Sequence, residues 1–318
     1  MAEPMNVFVT AGTSPLGRVV VRQLVARGHK VMAVTQGKAG ADLAHQDGAI
    51  PVYADPTRAG ELRSMMAMAK PNVVVNLTPQ LPNTLLHDGK DWRGFAASLK
   101  ATTAALLQAS QATGVSFIVH PSDTLLYGET HSPADENAAR TAPGSHAAFQ
   151  AAIDAEDTIT SNAIPSSVLR MGYLYGAGDH NLALYADSFR VGRPFYAGSD
   201  KKTAWLHHED AARAIVQVAE QQPKGEVFNI ADQKPVSLAT FIEEYAQRLG
   251  AGKPGRLPRR LAEFLGNITD EQFTLLDITT EVSTAKAQSQ LGWKAQYPTY
   301  QGGLDQALRM MRALDKVR

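Results

Sequence analysis

The 318-residue chain contains no cysteine. That excludes disulfides, thiolate metal sites and cysteine nucleophiles, and it fits a reducing compartment. The chain also lacks a charge excess: 31 Lys and Arg balance 31 Asp and Glu. A nucleic-acid binder carries a basic surplus, and none is present. No stretch approaches the roughly 18 apolar residues that a membrane span needs. The first residues, MAEPMNVFVT, show no basic segment followed by an apolar run, so no signal peptide is expected. These absences point to a soluble, cytoplasmic protein with no nucleic-acid partner, no membrane span and no metal site.

Short apolar strands alternate with helical stretches through the first 120 residues. The sequence predicts strands at 6–10, 30–34, 50–55, 72–77 and 116–120, with helices at 15–27, 58–69 and 92–113. A further helix is expected near 145–160, and strands at 166–172 and 226–231. Continuous apolar strands separated by helices indicate an α/β fold, with a doubly wound parallel sheet covered on both faces. Beyond about residue 177 Pro and Gly become more frequent and shorter segments are expected, as in a smaller C-terminal α/β subdomain. The helices at 92–113 and 145–160 are rich in alanine, which reads either as helix propensity or as close helix packing between subunits.

The stretch NVFVTAGTSPLG (6–17) has the shape of a phosphate-binding turn. In such a turn a strand ends, and a helix begins with free N–H groups and its positive dipole end facing the ligand. Glycines at a three-residue spacing normally permit the turn, the backbone approach and the packing. Here the spacing gives Ala11, Ser14 and Gly17, with Gly12 beside Ala11. Ala11 is tolerable if its φ stays negative. Ser14 offers a hydroxyl to a phosphate oxygen. Pro15 suits the first helical position but removes one N–H. The same residues also read as a plain strand–turn–helix with a serine N-cap. After the second strand, near Thr35 and Gln36, no acidic side chain awaits a ribose 2′-hydroxyl. Lys38 is nearby instead, which favours NADP over NAD if it is more than a solvated loop residue.

Four later stretches, SSVLRMGYLYGAGD (166–179), TAWLHHEDAARAI (203–215), GEVFNIADQKPVSL (225–238) and LGWKAQYPTYQGGLDQAL (291–308), occur in order at suitable spacings. With VTAGTSPLG (9–17) and VVVNLTPQ (73–80) they resemble the extended short-chain dehydrogenase/reductases, the NAD-dependent epimerase/dehydratase family. The resemblance implies a Rossmann domain over 1–176, to which 203–231 returns, and a substrate subdomain from 177–202 and 232–318. It implies that Thr10, Ala11, Gly12, Ser14, Leu16 and Gly17 line the pyrophosphate of NAD or NADP. It places Gln36 and Lys38 by the adenosine ribose, and Asp55 and Pro56 by the adenine. Leu77, Thr78 and Pro79 fall on the ribose and nicotinamide side, and Met171, Gly172 and Tyr173 approach the nicotinamide. His207 and Asp210 read as a structural feature, and Tyr127 likewise.

In this family a tyrosine, with a lysine four residues later on the same helical face, does the acid–base work, helped by a serine or threonine at the end of the fifth strand. The corresponding helix here reads GSHAAFQAAIDAEDTI (144–159), with neither residue. Ala148 takes the tyrosine's place and Ala152 the lysine's. In HPSDTLLYG (120–128), counting four back from Tyr127 puts Asp123 where the hydroxyl residue is expected, between Ser122 and Thr124. Asp123, Thr124 and His146 are the candidate replacements, His146 because imidazole titrates near neutrality. Asp154 and Glu156 read as the exposed face of the alanine-rich helix. The expectation is an NAD(P)-binding protein that has lost the usual chemistry and serves a structural, assembly or sensing role, as a homodimer or a subunit of a larger complex. The alternative is an oxidoreductase, epimerase or dehydratase acting on a small or sugar-derived substrate through a non-standard acid–base group.

Overall fold

The structure is a computed structural model that describes residues 3–77, 92, 94–192, 195–196, 199–264 and 270–313. The first half alternates β1 (Asn6–Val9), α1 (Pro15–Ala26), β2 (Lys30–Val34), α2 (Gly37–Gln46), β3 (Ile50–Val52), α3 (Ala59–Ala69), β4 (Val73–Val75), α4 (Phe95–Thr113), β5 (Phe117–Asp123), α5 (Ala147–Thr160) and β6 (Ser166–Met171). Then come β7 (Tyr173–Tyr175), α6 (His180–Arg190), β8 (Phe195–Tyr196), β9 (Lys202–Thr203), β10 (Trp205–His207), α7 (His208–Gln221) and β11 (Glu226–Ile230). The chain continues through β12 (Val236–Ser237), α8 (Leu238–Arg248), β13 (Gly255–Arg256), α9 (Arg259–Phe264), α10 (Asp270–Leu276) and α11 (Tyr300–Ala313).

Seven strands form one parallel sheet in the order β3-β2-β1-β4-β5-β6-β11. The direction of winding reverses between β1 and β4, and such a reversal opens a crevice at the carboxyl ends of the strands. Period-two alternation sends β1 side chains to both faces. Val7 and Val9 pack with Val20, Leu24 and Ile215 of α1 and α7, while Phe8 packs with Leu62, Met66 and Leu106 of α3 and α4. A third cluster joins α4 and α5 to the C-terminal elements through Trp92, Phe149, Tyr173, Trp205, Phe241 and Tyr245. Within it Trp205 stacks on Phe241, with ring centroids 3.9 Å apart.

Two features depart from the sequence expectation. The sequence pattern predicts no helix at α2, because GKAGADLAHQ carries two glycines and little apolar patterning. It forms nonetheless by burying Gly40, Ala41 and Ala44, and Gly40 lies so close to β2 that a Cβ there would meet Thr35 Oγ1 at 2.0 Å. Second, the segments after residue 177 are not uniformly short. Helices α6 and α8 have 11 residues each, and α7 and α11 have 14. Most of the Pro and Gly residues fall between these helices, and Gly302 and Gly303 are accommodated within the first turn of α11.

The carboxyl end of α7's entry strand fastens the C-terminal segment. His207 Nδ1 accepts the Glu209 N–H at 3.2 Å. Asp210, fully buried, accepts the Gln296 and Tyr297 N–H groups at 2.7 and 2.8 Å.

Candidate functional site

The β1–α1 turn is built tightly. A Cβ at Gly17 would fall 2.2 Å from Ala11 O and 2.9 Å from the Gly12 carbonyl carbon, and one at Gly12 would fall 2.6 Å from Ala33 Cβ. The loop therefore lies directly over the first turn of α1, the close approach that a pyrophosphate cradle requires. Ser14 is the N-cap: its Oγ accepts the Gly17 N–H at 3.0 Å. Its own proton stays free to donate, so capping and phosphate binding are compatible. Pro15 has no N–H and Gly17's is taken, which leaves Leu16 as the first-turn amide for an anion. These residues fit a dinucleotide, with fewer backbone donors than a three-glycine loop would give.

The condition set for Ala11 is not met. Its φ is +45°, in the left-handed region, where a Cβ costs about 1–2 kcal/mol. Ala11→Gly should raise stability by about 0.5–1 kcal/mol, the relieved strain being partly offset by the extra freedom glycine has when unfolded. Urea unfolding checks this; a loss of stability would mean that the methyl packs more favourably than its backbone is strained.

Polar groups tie the strand ends together. Thr10 Oγ1 accepts the Leu77 N–H at 2.7 Å and donates to Asn76 Oδ1 at 3.3 Å. Asn76 Nδ2 lies 3.2 Å from His120 Nδ1. Burial pushes the His120 imidazole down to about 4, so it is neutral at pH 7. Gln36 and Lys38 are exposed at the start of α2. The solvent-exposed Asp55 carboxylate is held by its own loop, where Oδ1 accepts both the N–H and the Oγ1–H of Thr57 and Oδ2 lies 3.4 Å from Arg58 Nε. Met171 and Leu77 are buried, and Tyr173 is nearly so. Thr78 and Pro79 lie outside the described residues.

On α5, Ala148 is buried and Ala152 half-buried against the aromatic cluster, with Trp92 edge-on to Phe149 at 5.6 Å. His146 sits just before α5. Its side chain does not cap the helix; its Nε2 lies 3.0 Å from Thr274 Oγ1 of α10, and carboxylates of Asp270 and Glu271 lie 4.0 Å from the ring. The structure thus turns His146 toward α10. Thr124 is fully buried, and its Oγ1 has no partner among the described residues.

Asp123 stands apart. It ends β5, level with Met171 of β6. One oxygen, Oδ1, accepts the Leu125 N–H at 2.7 Å. Burial raises its carboxyl to about 7, the Leu125 N–H opposes that rise, and the Glu156 charge adds to it. A carboxyl that holds its proton near neutrality can serve as a general acid.

The Glu156 expectation is corrected. Glu156 is 2% exposed, because its face of α5 lies over β5 and β6 rather than toward solvent. It accepts from Arg170 Nη2 at 2.8 Å, Arg140 Nη1 at 2.9 Å and the Ser122 hydroxyl. Arg170 Nη1 donates to Tyr127 Oη at 2.8 Å, and Tyr127 donates to Asn229 Oδ1 at 2.8 Å. Asp154, on the opposite face, is exposed.

A second buried carboxyl, Asp179, caps α6 by accepting the Leu182 N–H at 3.0 Å. Burial raises it from 3.8 to about 7, against the pull of the Leu182 and Asn181 N–H groups. Because the folded value lies above the unfolded one, stability is greatest at low pH and is lost as pH rises toward about 7, by at most about 4 kcal/mol. Asn also caps helices well. Asp179→Asn should therefore raise the melting temperature at pH 8 and leave it nearly unchanged at pH 4. A rise at both pH values would refute the ionisation argument.

A model of the NAD dependent epimerase/dehydratase family matches residues 7–231. A 3-diazoavenalumate denitrifying reductase from Streptomyces sp is 30% identical over 314 residues, covering 94% of this chain and 99% of its own. A 4-hydroxy-2-methyl-3-oxo-4-farnesyl-3,4-dihydroquinoline-1-oxide ketoreductase from Stigmatella aurantiaca is 24% identical, covering 96% of each chain. Among solved structures, the UDP-glucose 4-epimerase of Thermus thermophilus in complex with NAD superposes with a TM-score of 0.79 at 17% identity, over 97% of this chain and 99% of that one. No helix among the described residues is long and apolar enough to cross a membrane.

Proposed function

Because the chain belongs to the NAD dependent epimerase/dehydratase family, we propose that it is an NAD(P)-dependent reductase in which Asp123 does the acid work of the missing tyrosine. The observation that carries this reading is the Asp123 carboxyl, held protonated to about pH 7 at the carboxyl end of β5. Two of the relatives bear reductase names, which supports a reductive direction.

When bound, NAD(P)H would supply the hydride for the substrate carbonyl carbon. Asp123 gives its proton to the carbonyl oxygen, so the product is an alcohol. Burial keeps the Asp123 proton in place, and the negative charge of Glu156 adds to that effect. The β1–α1 turn, through Thr10, Ala11, Gly12, Ser14, Leu16 and Gly17, would hold the pyrophosphate. Gln36 and Lys38 would face the adenosine ribose, where Lys38 would favour NADP. Asp55 and Pro56 border the adenine. Leu77, Met171 and Tyr173 would border the nicotinamide. Residues 1–176 and 203–231 form the nucleotide domain, and the remainder forms the substrate subdomain.

The test is to titrate NADPH and NADH against the purified protein, then to follow their oxidation across a panel of ketones and nucleotide sugars. Saturable binding with carbonyl-dependent oxidation supports the reading. A second reading rests on Ala148 and Ala152, which leave α5 without an acid or an ammonium: an NAD(P)-binding subunit without turnover, in a homodimer or a larger complex. NADPH binding with no oxidation on any substrate, together with a co-purifying partner, would select it.

A further inference from the structure

The strands beside Asp123 carry a phenol that the acid–base argument has not used. Asp123 is level with Met171 of β6, and Tyr173 opens β7 two residues further on. Gly172 makes the bend between them. A Cβ there would fall 2.9 Å from the Trp205 carbonyl carbon, so glycine lets the chain pass this close to β10. The Tyr173 N–H donates to Ala204 O at 2.7 Å, which pins its backbone. Its ring lies 4.9 Å from that of Trp205. Trp205 is itself fixed, stacked on Phe241 and donating from Nε1 to Val236 O at 2.9 Å. Tyr173 belongs to the same buried cluster as Ala148, and as Leu125, whose N–H holds the Asp123 carboxyl.

The hydroxyl of this fixed ring is uncommitted. Tyr127, Tyr175 and Tyr245 use theirs inside the protein, on Asn229 Oδ1 at 2.8 Å, Asp232 Oδ2 at 3.1 Å and Leu182 O at 3.0 Å. The Tyr173 hydroxyl has no hydrogen-bond partner among the described residues. Neither it nor Asp123 is sealed in: Tyr173 is 9% exposed and Asp123 is half-buried. Burial holds the phenol well above its ordinary 10, and Asp179, Tyr185 and Asp123 lie close enough to add to that. It therefore stays protonated at working pH and can donate a hydrogen bond without ionising.

We propose that Tyr173 is a second catalytic donor, its hydroxyl hydrogen-bonding the substrate carbonyl oxygen beside Asp123, so that β7 supplies the phenol that α5 lacks. This rests on the reductase reading above and adds a residue to its site. A carbonyl oxygen has two lone pairs and accepts from both groups at once. The transferred proton remains that of Asp123. The carbonyl carbon gains the hydride, the oxygen gains the Asp123 proton, and Asp123 is left as the carboxylate. Tyr173 keeps its proton throughout and stabilises the negative charge that develops on the oxygen.

Tyr173→Phe keeps the ring on Trp205 and removes no internal hydrogen bond, so it should melt with the wild type. The full chain is assayed with NADPH and the panel ketone that the wild type reduces fastest. The variant's kcat should fall about 10²–10³-fold, the usual worth of one such donor, with KM and NADPH affinity little changed. Its rate should still fall as pH rises through about 7, because Asp123 remains. A second readout is the infrared carbonyl stretch of the same ketone bound with NADP⁺, where no turnover occurs. It should lie at lower frequency in the wild type than in Tyr173→Phe, since a lost donor leaves the carbonyl less polarised. An active wild type with an equally active variant overturns the proposal and leaves the reductase standing. A raised KM with unchanged kcat, or a slow variant that melts early with the stretch unmoved, also overturns it, since the hydroxyl would then serve binding or packing alone. A wild type that reduces no ketone removes the reductase reading and this proposal with it.

Discussion

Asp123→Asn is expected to slow carbonyl-dependent NADPH oxidation by about 10²–10⁴-fold, the usual worth of general acid catalysis, with NADPH binding unchanged. Asparagine keeps an oxygen to accept the Leu125 N–H, so the local turn survives while the transferable proton is lost. The pH dependence sharpens the test. The wild-type rate should fall as pH rises through about 7, where the Asp123 carboxyl gives up its proton, and the residual rate of the variant should lack that limb. Stability should move the other way. The folded value exceeds the unfolded 3.8, so the ionised carboxylate burdens the fold above pH 7, and the variant should melt higher than wild type at pH 8 but not at pH 4. An undiminished rate, or a falling limb that persists in the variant, would remove Asp123 from the chemistry.

Glu156→Gln should cost about 3–5 kcal/mol of stability, as expected when one partner of a buried ion pair is lost. The variant leaves Arg170, 5% exposed, without its carboxylate while it still carries its charge. The effect should spread, because Arg170 also holds Tyr127, and Tyr127 holds Asn229. Those residues lie on or beside β5, β6 and β11, so one carboxylate links the far half of the sheet to α5. Asp154→Asn, two residues away on the exposed face, is the control and should change stability by less than about 0.5 kcal/mol. Urea unfolding of both variants decides the matter. A Glu156→Gln cost under about 1 kcal/mol would mean that solvent or neighbouring groups compensate Arg170 fully.

The sheet was legible because its strands are runs such as Val73–Val75 and Phe117–Val119, whose burial on both faces demands continuous apolar sequence. The start of α1 was legible because Ser14 followed by Pro15 suits an N-cap, although the sequence alone also left Ser14 open as a phosphate ligand. Helix α2 was not, since its glycines oppose helix formation and only its packing against β2 repays them.

Glu156 marks the limit most plainly. An acidic residue in an alanine-rich helix reads as solvated, and nothing in the local pattern says that Arg140, Arg170 and Ser122, the nearest of them 14 residues away, converge on it.

The sequence by itself determined the alternation of strands and helices, the family motifs, and the absence of a phenol and an ammonium from the helix that ends at Thr160. These depend on residue identity and short-range spacing, which one chain displays in full. Only the tertiary structure decided that Ala11 adopts a positive φ, that His146 faces α10, and that Asp123 keeps its proton near neutrality. Backbone strain, side-chain direction and desolvation are set by atoms brought from distant parts of the chain.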